Sequence, residues 1–335
     1  VGFSSAVSGF KTAVVTNRRA YVGNLYIEDS FGLIQRFGDA ILKSRVGKFD
    51  SFTVADRLEA EIRDGDAIVK LEEYADRLLQ FKKKKMTLIN ISQDVEFVED
   101  TFMHKGLSHP AAVCKTDFGI AWVNLEGVYL YDGQKVINLL EKGGRQVIKE
   151  SDWSAFINPL ANRPLIGYVP KKRQIIIVDN IEATLYGAIY LYDMVTQSWT
   201  KGSNATFPDA KKTNFVTDWN NDLISGYDTG NIIKWDDAAD ASADMVITTK
   251  DIDFGQPGQP KNVYKVYLTF RGNATHVQVN YGSDGAAPVR TFNNITSGTD
   301  GSSTNSGTNA KCIPYDAGVN DWLKAELKVS VPLQA

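Results

Sequence analysis

Two basic clusters are the densest charged features of the sequence: Lys82, Lys83, Lys84 and Lys85 form one run, and Lys171, Lys172 and Arg173 form another. Side chains of this kind can contact phosphate, because nucleic-acid affinity rests on neutralising phosphates with Lys and Arg. They also serve as a solvated strand or turn edge that discourages unwanted strand pairing. The seven residues are expected to form a basic patch facing a subunit or passing DNA. Carboxylates at predicted strand ends, Asp179, Asp193, Asp228 and Asp236, are of the type that a glycosidase pairs across a scissile bond. Asp in a β-turn, however, bonds the backbone that follows it and needs no catalytic duty to be there. The segment Asp228–Asn231 lacks the further ligands of a calcium loop. His104 and His109 stand five apart, off the i, i+4 spacing of a helical zinc pair, and with His276 they complete the histidine inventory. Loop or structural positions are expected for them. Cys114 and Cys312 have no CxxC partner, which argues against a disulfide framework and against a zinc site and predicts free thiols made in a reducing cytoplasm. Trp122, Trp199, Trp219 and Trp235 could stack on sugars, but packing between sheets needs the same rings. The GxSxG, HExxH and P-loop patterns are missing. No catalytic, cofactor-binding or metal-binding residue is nominated, and the chain reads as a non-enzyme.

The elements that must position these residues are β-strands. The 335 residues allow two domains, and 43% hydrophobic with 23% charged residues is ordinary for a folded protein. No apolar run reaches the 18 residues of a spanning helix, so no membrane insertion is expected, and the net charge of −3 offers no general attraction for nucleic acid. The start at Val1, without an initiator Met, leads us to expect a piece of a longer chain. Short apolar or alternating segments bounded by Gly, Asn and Asp recur throughout, carrying 16 Phe, 14 Tyr and 6 Trp. One hairpin runs from Gly119–Leu125 through a turn at Glu126–Gly127 into Val128–Tyr131, with a second turn at Asp132–Gly133. Similar units follow at Arg173–Val178 with Gly187–Asp193 and at Asp222–Tyr227 with Asn231–Asp236. Their aromatic–Asp landmarks, Tyr131, Tyr192 and Trp235, are 61 and 43 residues apart. Propeller blades run about 40–50 residues, and a short helix capped by Ser151 accounts for the longer step. Upstream, Arg18–Ile27 reads as a hairpin and Lys84–Ile91 as the end of a further blade, giving roughly five units before residue 245. Within Ala67–Phe81, helical spacing fits as well as two strands; the neighbouring repeats favour a hairpin turning at Ala75–Asp76.

Beyond Ala238–Asp244 the pattern changes. Val277–Tyr281 and Leu323–Val331 alternate strictly, as strands with one face on a core do. The expected architecture is all-β: a propeller-like domain over 1–245 and a β-sandwich over 246–335. Thr296–Asn309, rich in Gly, Ser, Thr and Asn, is expected to be mobile or held by a neighbour.

Five groups of segments carry a resemblance: Asn17–Asn24 (NRRAYVGN); Gly65–Leu71 (GDAIVKL) with Arg77–Lys82 (RLLQFK); Thr116–Trp122 (TDFGIAW) with Leu130–Gly133 (LYDG); Ile166–Pro170 (IGYVP) with Arg173–Ile176 (RQII); and Thr249–Gly255 (TKDIDFG). In order and texture they resemble the tail nozzle proteins of short-tailed bacteriophages, also called tail tubular protein B or packaged-DNA stabilisation proteins. The resemblance implies a homo-oligomer, a ring of six subunits below the portal and adaptor and beside other tail proteins such as fibres. Such a ring retains packaged DNA and conducts it at ejection without binding it specifically. It implies assembly in the bacterial cytoplasm, residence in the virion tail, no cofactor and no catalytic residue. The rivals are a receptor- or carbohydrate-binding tail protein and a propeller hydrolase of surface polysaccharide.

Overall fold

The computed structural model describes residues 9–28, 31–60, 64–93, 95–157, 164–179, 187–207, 214–226, 230, 232–235, 247–249, 252, 254–255, 259, 262–270, 276–278, 280–282, 290–291, 312–314 and 323–334. The chain divides into two compact units, Val1–Asp240 and Ala241–Ala335.

The first unit is a series of up-and-down antiparallel sheets. The first sheet holds β1 (Gly9–Thr16), β2 (Arg19–Glu28), β3 (Ile34–Arg45) and β4 (Lys48–Leu58), and the second holds β5 (Ile68–Tyr74), β6 (Arg77–Lys82), β7 (Lys85–Asn90) and β8 (Phe97–Met103). The third holds β9 (Val113–Thr116), β10 (Gly119–Asn124), β11 (Gly127–Tyr131) and β12 (Val136–Asn138). A small hairpin, β13 (Glu141–Lys142) with β14 (Arg145–Gln146), and one helix, α1 (Glu150–Phe156), lead into the fourth sheet. That sheet holds β15 (Leu165–Val169), β16 (Gln174–Val178), β17 (Gly187–Asp193) and β18 (Ser198–Phe207). The fifth sheet has three strands, β19 (Val216–Thr217), β20 (Leu223–Gly226) and β21 (Ile232–Lys234). Five antiparallel sheets succeed one another in chain order, the all-β, propeller-like fold expected.

Local chemistry explains the turns. Asn17 and Arg18, at φ 47° and 59°, connect β1 to β2, the doubly left-handed geometry that suits strand twist. Arg18–Ile27 is therefore the second strand of a hairpin and not a hairpin by itself. Ala75, at φ 51°, and Asp76 join β5 to β6, with Tyr74 opposite Arg77, so the segment that also fitted a helix is a hairpin. The third sheet corrects one turn: Asn124 lies opposite Gly127, and the loop is Leu125–Glu126. None of Leu125, Glu126 and Gly127 is left-handed; instead Asn124 Oδ1 accepts from the Glu126 and Gly127 amides at 2.9 and 3.1 Å. The expected second blade ends one strand later than Lys84–Ile91, because β8 pairs with β7. The inserted helix is present, but its N-cap is Lys149 and it has no side-chain cap; Ser151 lies within it.

The core follows from alternation on strands covered on both faces. Ile166, Tyr168, Ile175 and Ile177 of the fourth sheet join an apolar cluster with the third, whereas Leu165, Val169, Ile176 and Val178 join Leu223 of the fifth. A sheet sandwiched this way reads as a nearly continuous apolar run, as β15 and β16 do. Trp153 and Phe156 of α1 pack on Tyr190, with the Phe156 and Tyr190 rings edge to face at 4.7 Å between centroids. Burying one such side chain stabilises by roughly 1.5–3 kcal/mol.

In the second unit β22 (Asn262–Phe270) pairs antiparallel with β27 (Leu323–Gln334), β23 (His276–Gln278) with β26 (Cys312–Pro314), and β24 (Asn280–Tyr281) with β25 (Arg290–Thr291). It too is all-β. The expected linker at Ala238–Asp244 and the loop Thr296–Asn309 lie outside the described residues.

Candidate functional site

First strands of neighbouring sheets lie side by side in the first unit. Thr12 Oγ1 on β1 accepts from the Leu71 amide on β5 at 2.9 Å. Further along, Tyr168 on β15 donates its hydroxyl hydrogen to Asp117 Oδ2 in the β9–β10 turn at 2.8 Å. Between the first strands of the second to fifth sheets lies a cavity of about 300 Å³, lined by Lys70, Glu72, Cys114, Lys115, Tyr168, Phe215 and Thr217 among others. Gly167 belongs to the same wall for a steric reason. A Cβ there would come within 2.7 Å of Phe215 Cδ2, so the absent side chain is what lets Phe215 close the cavity.

The cavity is polar, and its charged groups engage one another. Lys70 Nζ lies 3.3 Å from Glu72 Oε1, and Lys115 pairs with Glu73. Burial raises the Glu72 pKa above the ordinary carboxylate value, against the opposing pull of Lys70 and Lys115. Burial likewise raises the Cys114 thiol, and the Glu72 charge adds to it. A thiol held protonated is a poor nucleophile and a poor metal ligand. Burial, then the bond to Asp117, raises Tyr168. Among the described residues no three His, Cys, Asp or Glu side chains gather as a metal set, and no helix is long and apolar enough to cross a membrane.

The basic clusters are dispersed. Lys82 is fully buried, its Nζ 2.8 Å from Asp64 Oδ2, and Lys85 Nζ lies 2.7 Å from the same oxygen. Lys83 and Lys84 are exposed, and the Lys84 amide donates to Asp66 Oδ2 at 2.9 Å. Lys171 Nζ sits 2.6 Å from Asp222 Oδ1, while Lys234 takes the other carboxylate oxygen at 2.8 Å. These two lysines hold the Asp222 carboxyl below its ordinary value. Lys172 and Arg173 are exposed in the β15–β16 turn, Arg173 at φ 51°. One cluster occupies the second turn of its sheet and the other the first turn. In up-and-down sheets those are opposite ends, so the seven residues make no single patch. Asp64 carried no sequence signal, since its partners are 18 and 21 residues away and only the fold unites them.

Of the four carboxylates expected at turns, Asp193 is seen in that role, and Asp132 does the same. Asp193 Oδ1 accepts from the Val195 and Thr196 amides, and Asp132 Oδ1 from those of Gln134 and Lys135, all at 2.9 Å. This shared device underlies the aromatic–Asp landmark. Asp228 and Asp236 lie outside the described residues. His109 Nδ1 caps the short 3₁₀ turn at Pro110–Ala112 by accepting from the Ala111 amide at 3.2 Å, and His104 stands exposed at φ 62° after β8. Trp122 packs between Phe81 and Tyr129, and Trp199 donates Nε1–H to Leu139 O at 2.9 Å. Trp219, at 93% exposure in the β19–β20 turn, is the exception.

No family model matches the chain, and no curated protein does. Solved structures of similar shape include YCF48 bound to D1 peptide, 8% identical at TM-score 0.43, covering 70% of this chain and 65% of that one. Sqt1 of Saccharomyces cerevisiae is 8% identical at TM-score 0.43, covering 68% and 59%. A functionally unknown protein from Desulfotomaculum acetoxidans is 11% identical at TM-score 0.38, covering 67% and 70%. The chain spans less than two thirds of the first two. Likeness at this distance assigns no activity.

Proposed function

We propose that this chain is a structural subunit of a short bacteriophage tail, of the nozzle type, which closes the tail on packaged DNA and forms the exit channel as a ring of six copies. The observation that carries the reading beyond the sequence resemblance is an apolar end on the first two sheets. Val15, Val46, Phe49, Val95 and Phe97 are 60, 51, 50, 76 and 45% exposed there. Gly47 donates its amide hydrogen to Arg18 O at 2.8 Å and Asn17 Nδ2 donates to Ile91 O at 2.9 Å, which brings the loops that carry them to one end. Exposed apolar groups gathered at one place mark a contact surface, and in this reading the contact is with the next subunit, the tail adaptor or fibres.

The cavity limits where DNA could run. A volume of about 300 Å³ holds on the order of ten waters, far too little for a duplex whose major groove alone is about 12 Å wide. The conduit of this proposal therefore lies between copies and not through this cavity. Catalysis has no part in the reading, and its setting is the virion tail after assembly in the host cytoplasm. Electron microscopy of the purified chain, alone and with particles carrying incomplete tails, tests it. Six-fold rings at the tail tip support the nozzle; monomers or trimers away from the tail axis refute it.

The exposure of Trp219 favours one second reading, a carbohydrate-binding tail protein that stacks a sugar on this ring. Glycan-array binding that disappears in Trp219→Ala is its signature.

A further inference from the structure

The seam between the first and second sheets combines a small apolar cluster with several buried polar side chains. Side chains on β6 and β7 alternate: Leu79, Phe81, Met86 and Leu88 join the large apolar cluster with the third sheet, whereas Leu78 and Ile89 pack with Tyr21 and Ile41 of the first. Gln80 and Thr87 lie opposite one another in the β6–β7 register, on the same face as Leu78 and Ile89. Both are completely buried, and among the described residues neither Gln80 amide atom nor Thr87 Oγ1 has a hydrogen-bond partner. On the facing sheet Asn24 spends its Nδ2 on Ile68 O at 2.8 Å, and its Oδ1 has no partner among the described residues either. Beside the apolar cluster of Tyr21, Ile41, Ile68, Leu71, Leu78, Ile89 and Ile91, polar links also cross this seam: the Leu71 amide to Thr12 Oγ1, Asn17 to Ile91 O, and Lys43 Nζ to Glu96 Oε2 at 2.6 Å.

We propose that this seam is the joint at which the first unit opens: the first sheet, 9–58, separates as a cooperative element while the second to fourth sheets stay packed. The reason is a difference in what water can replace. Every polar link across the seam finds an equivalent in solvent, and opening exposes to it Gln80, Thr87 and Asn24 Oδ1, which no described protein group satisfies. The apolar packing at this seam, around Tyr21, Ile41, Leu71 and Leu78, is smaller than the cluster that joins the second, third and fourth sheets through Trp122, Tyr129, Trp153 and Tyr190, and water substitutes for neither. The moving element carries Val15, Val46 and Phe49, so opening would shift the apolar end described above. The inference stands whether or not the chain belongs to a tail.

Native-state hydrogen exchange of the whole chain is the test. Amides of Tyr21, Val22 and Leu42 are expected to exchange at least about tenfold faster than those of Trp122, Leu130 and Ile176, the behaviour of a sub-global opening. Gln80→Leu with Thr87→Val removes the groups that gain from water and is expected to slow first-sheet exchange by about fivefold or more, relative to the third-sheet amides. A single common rate in the unsubstituted protein overturns the proposal. So does faster first-sheet exchange in the double variant, which would mean the two groups hold the seam closed. If the double variant fails to fold, Thr87→Val alone and the unsubstituted chain decide the matter.

Discussion

The Tyr168 hydroxyl and Asp117 Oδ2, 2.8 Å apart, fasten the fourth sheet to the first turn of the third, beside the cavity. A hydrogen bond to a charged acceptor is worth about 1.5–3 kcal/mol. Tyr168→Phe is therefore expected to lower unfolding stability by that amount in urea denaturation at neutral pH. In the unsubstituted protein this phenol stays protonated above the ordinary tyrosine range, because burial and the bond to Asp117 both oppose phenolate. Spectrophotometric titration is expected to lose a late-ionising tyrosine in the variant.

Ala75 offers a test in which two readings of one segment predict opposite signs. At φ 51° it occupies the first central position of the β5–β6 turn, where glycine is preferred. Ala75→Gly is expected to raise stability by about 0.5–1 kcal/mol. Were Ala67–Phe81 helical, the same change would cost about 0.8–1 kcal/mol.

The buried ion pair makes an asymmetric prediction. Asp64→Asn leaves the Lys82 ammonium buried without its counter-charge and is expected to cost about 3–5 kcal/mol. Lys82→Met leaves Asp64 with Lys85 at 2.7 Å and is expected to cost much less. Burial pushes the Asp64 pKa up, but the hydrogen bond from Lys82 and the amide of Asp66 outweigh it and hold it below 3.8. A carboxylate with a depressed folded pKa stabilises the protein above its unfolded pKa, and that stabilisation is lost as pH falls through the folded value. Acid denaturation curves of Asp64→Asn should lack this part of the low-pH transition.

Gly167 is set by its neighbour. With a Cβ due 2.7 Å from Phe215 Cδ2, Gly167→Ala is expected to cost about 1–3 kcal/mol through overpacking. Adding Phe215→Leu should recover part of that loss, measured as thermal midpoints of the single and double variants. Strict additivity would show that the two side chains do not meet.

Much of this architecture is written locally. Alternating apolar residues, Gly and Asn at turns, and Asp132 and Asp193 after an aromatic report on hydrogen bonds a few residues long, so strand content and the all-β, propeller-like class are legible from the sequence. Turn positions are less so. In the third sheet the visible Gly127 is a strand residue, and Asn124 does the turning through its side chain.

The basic clusters mark the limit of local reading. Lys82 to Lys85 form a continuous run of charge in sequence, yet strand alternation turns Lys82 inward. Asp64, placed by a different part of the chain, neutralises two of the four. The same holds for Gln80 and Thr87, which look like ordinary strand residues until the register sets them face to face against the first sheet. Local hydrogen bonding and alternation thus determine that these residues lie on strands of an all-β chain. Which face of a strand meets which neighbouring sheet is a long-range packing choice, and it alone decides which charges are buried and where polar side chains are enclosed between sheets.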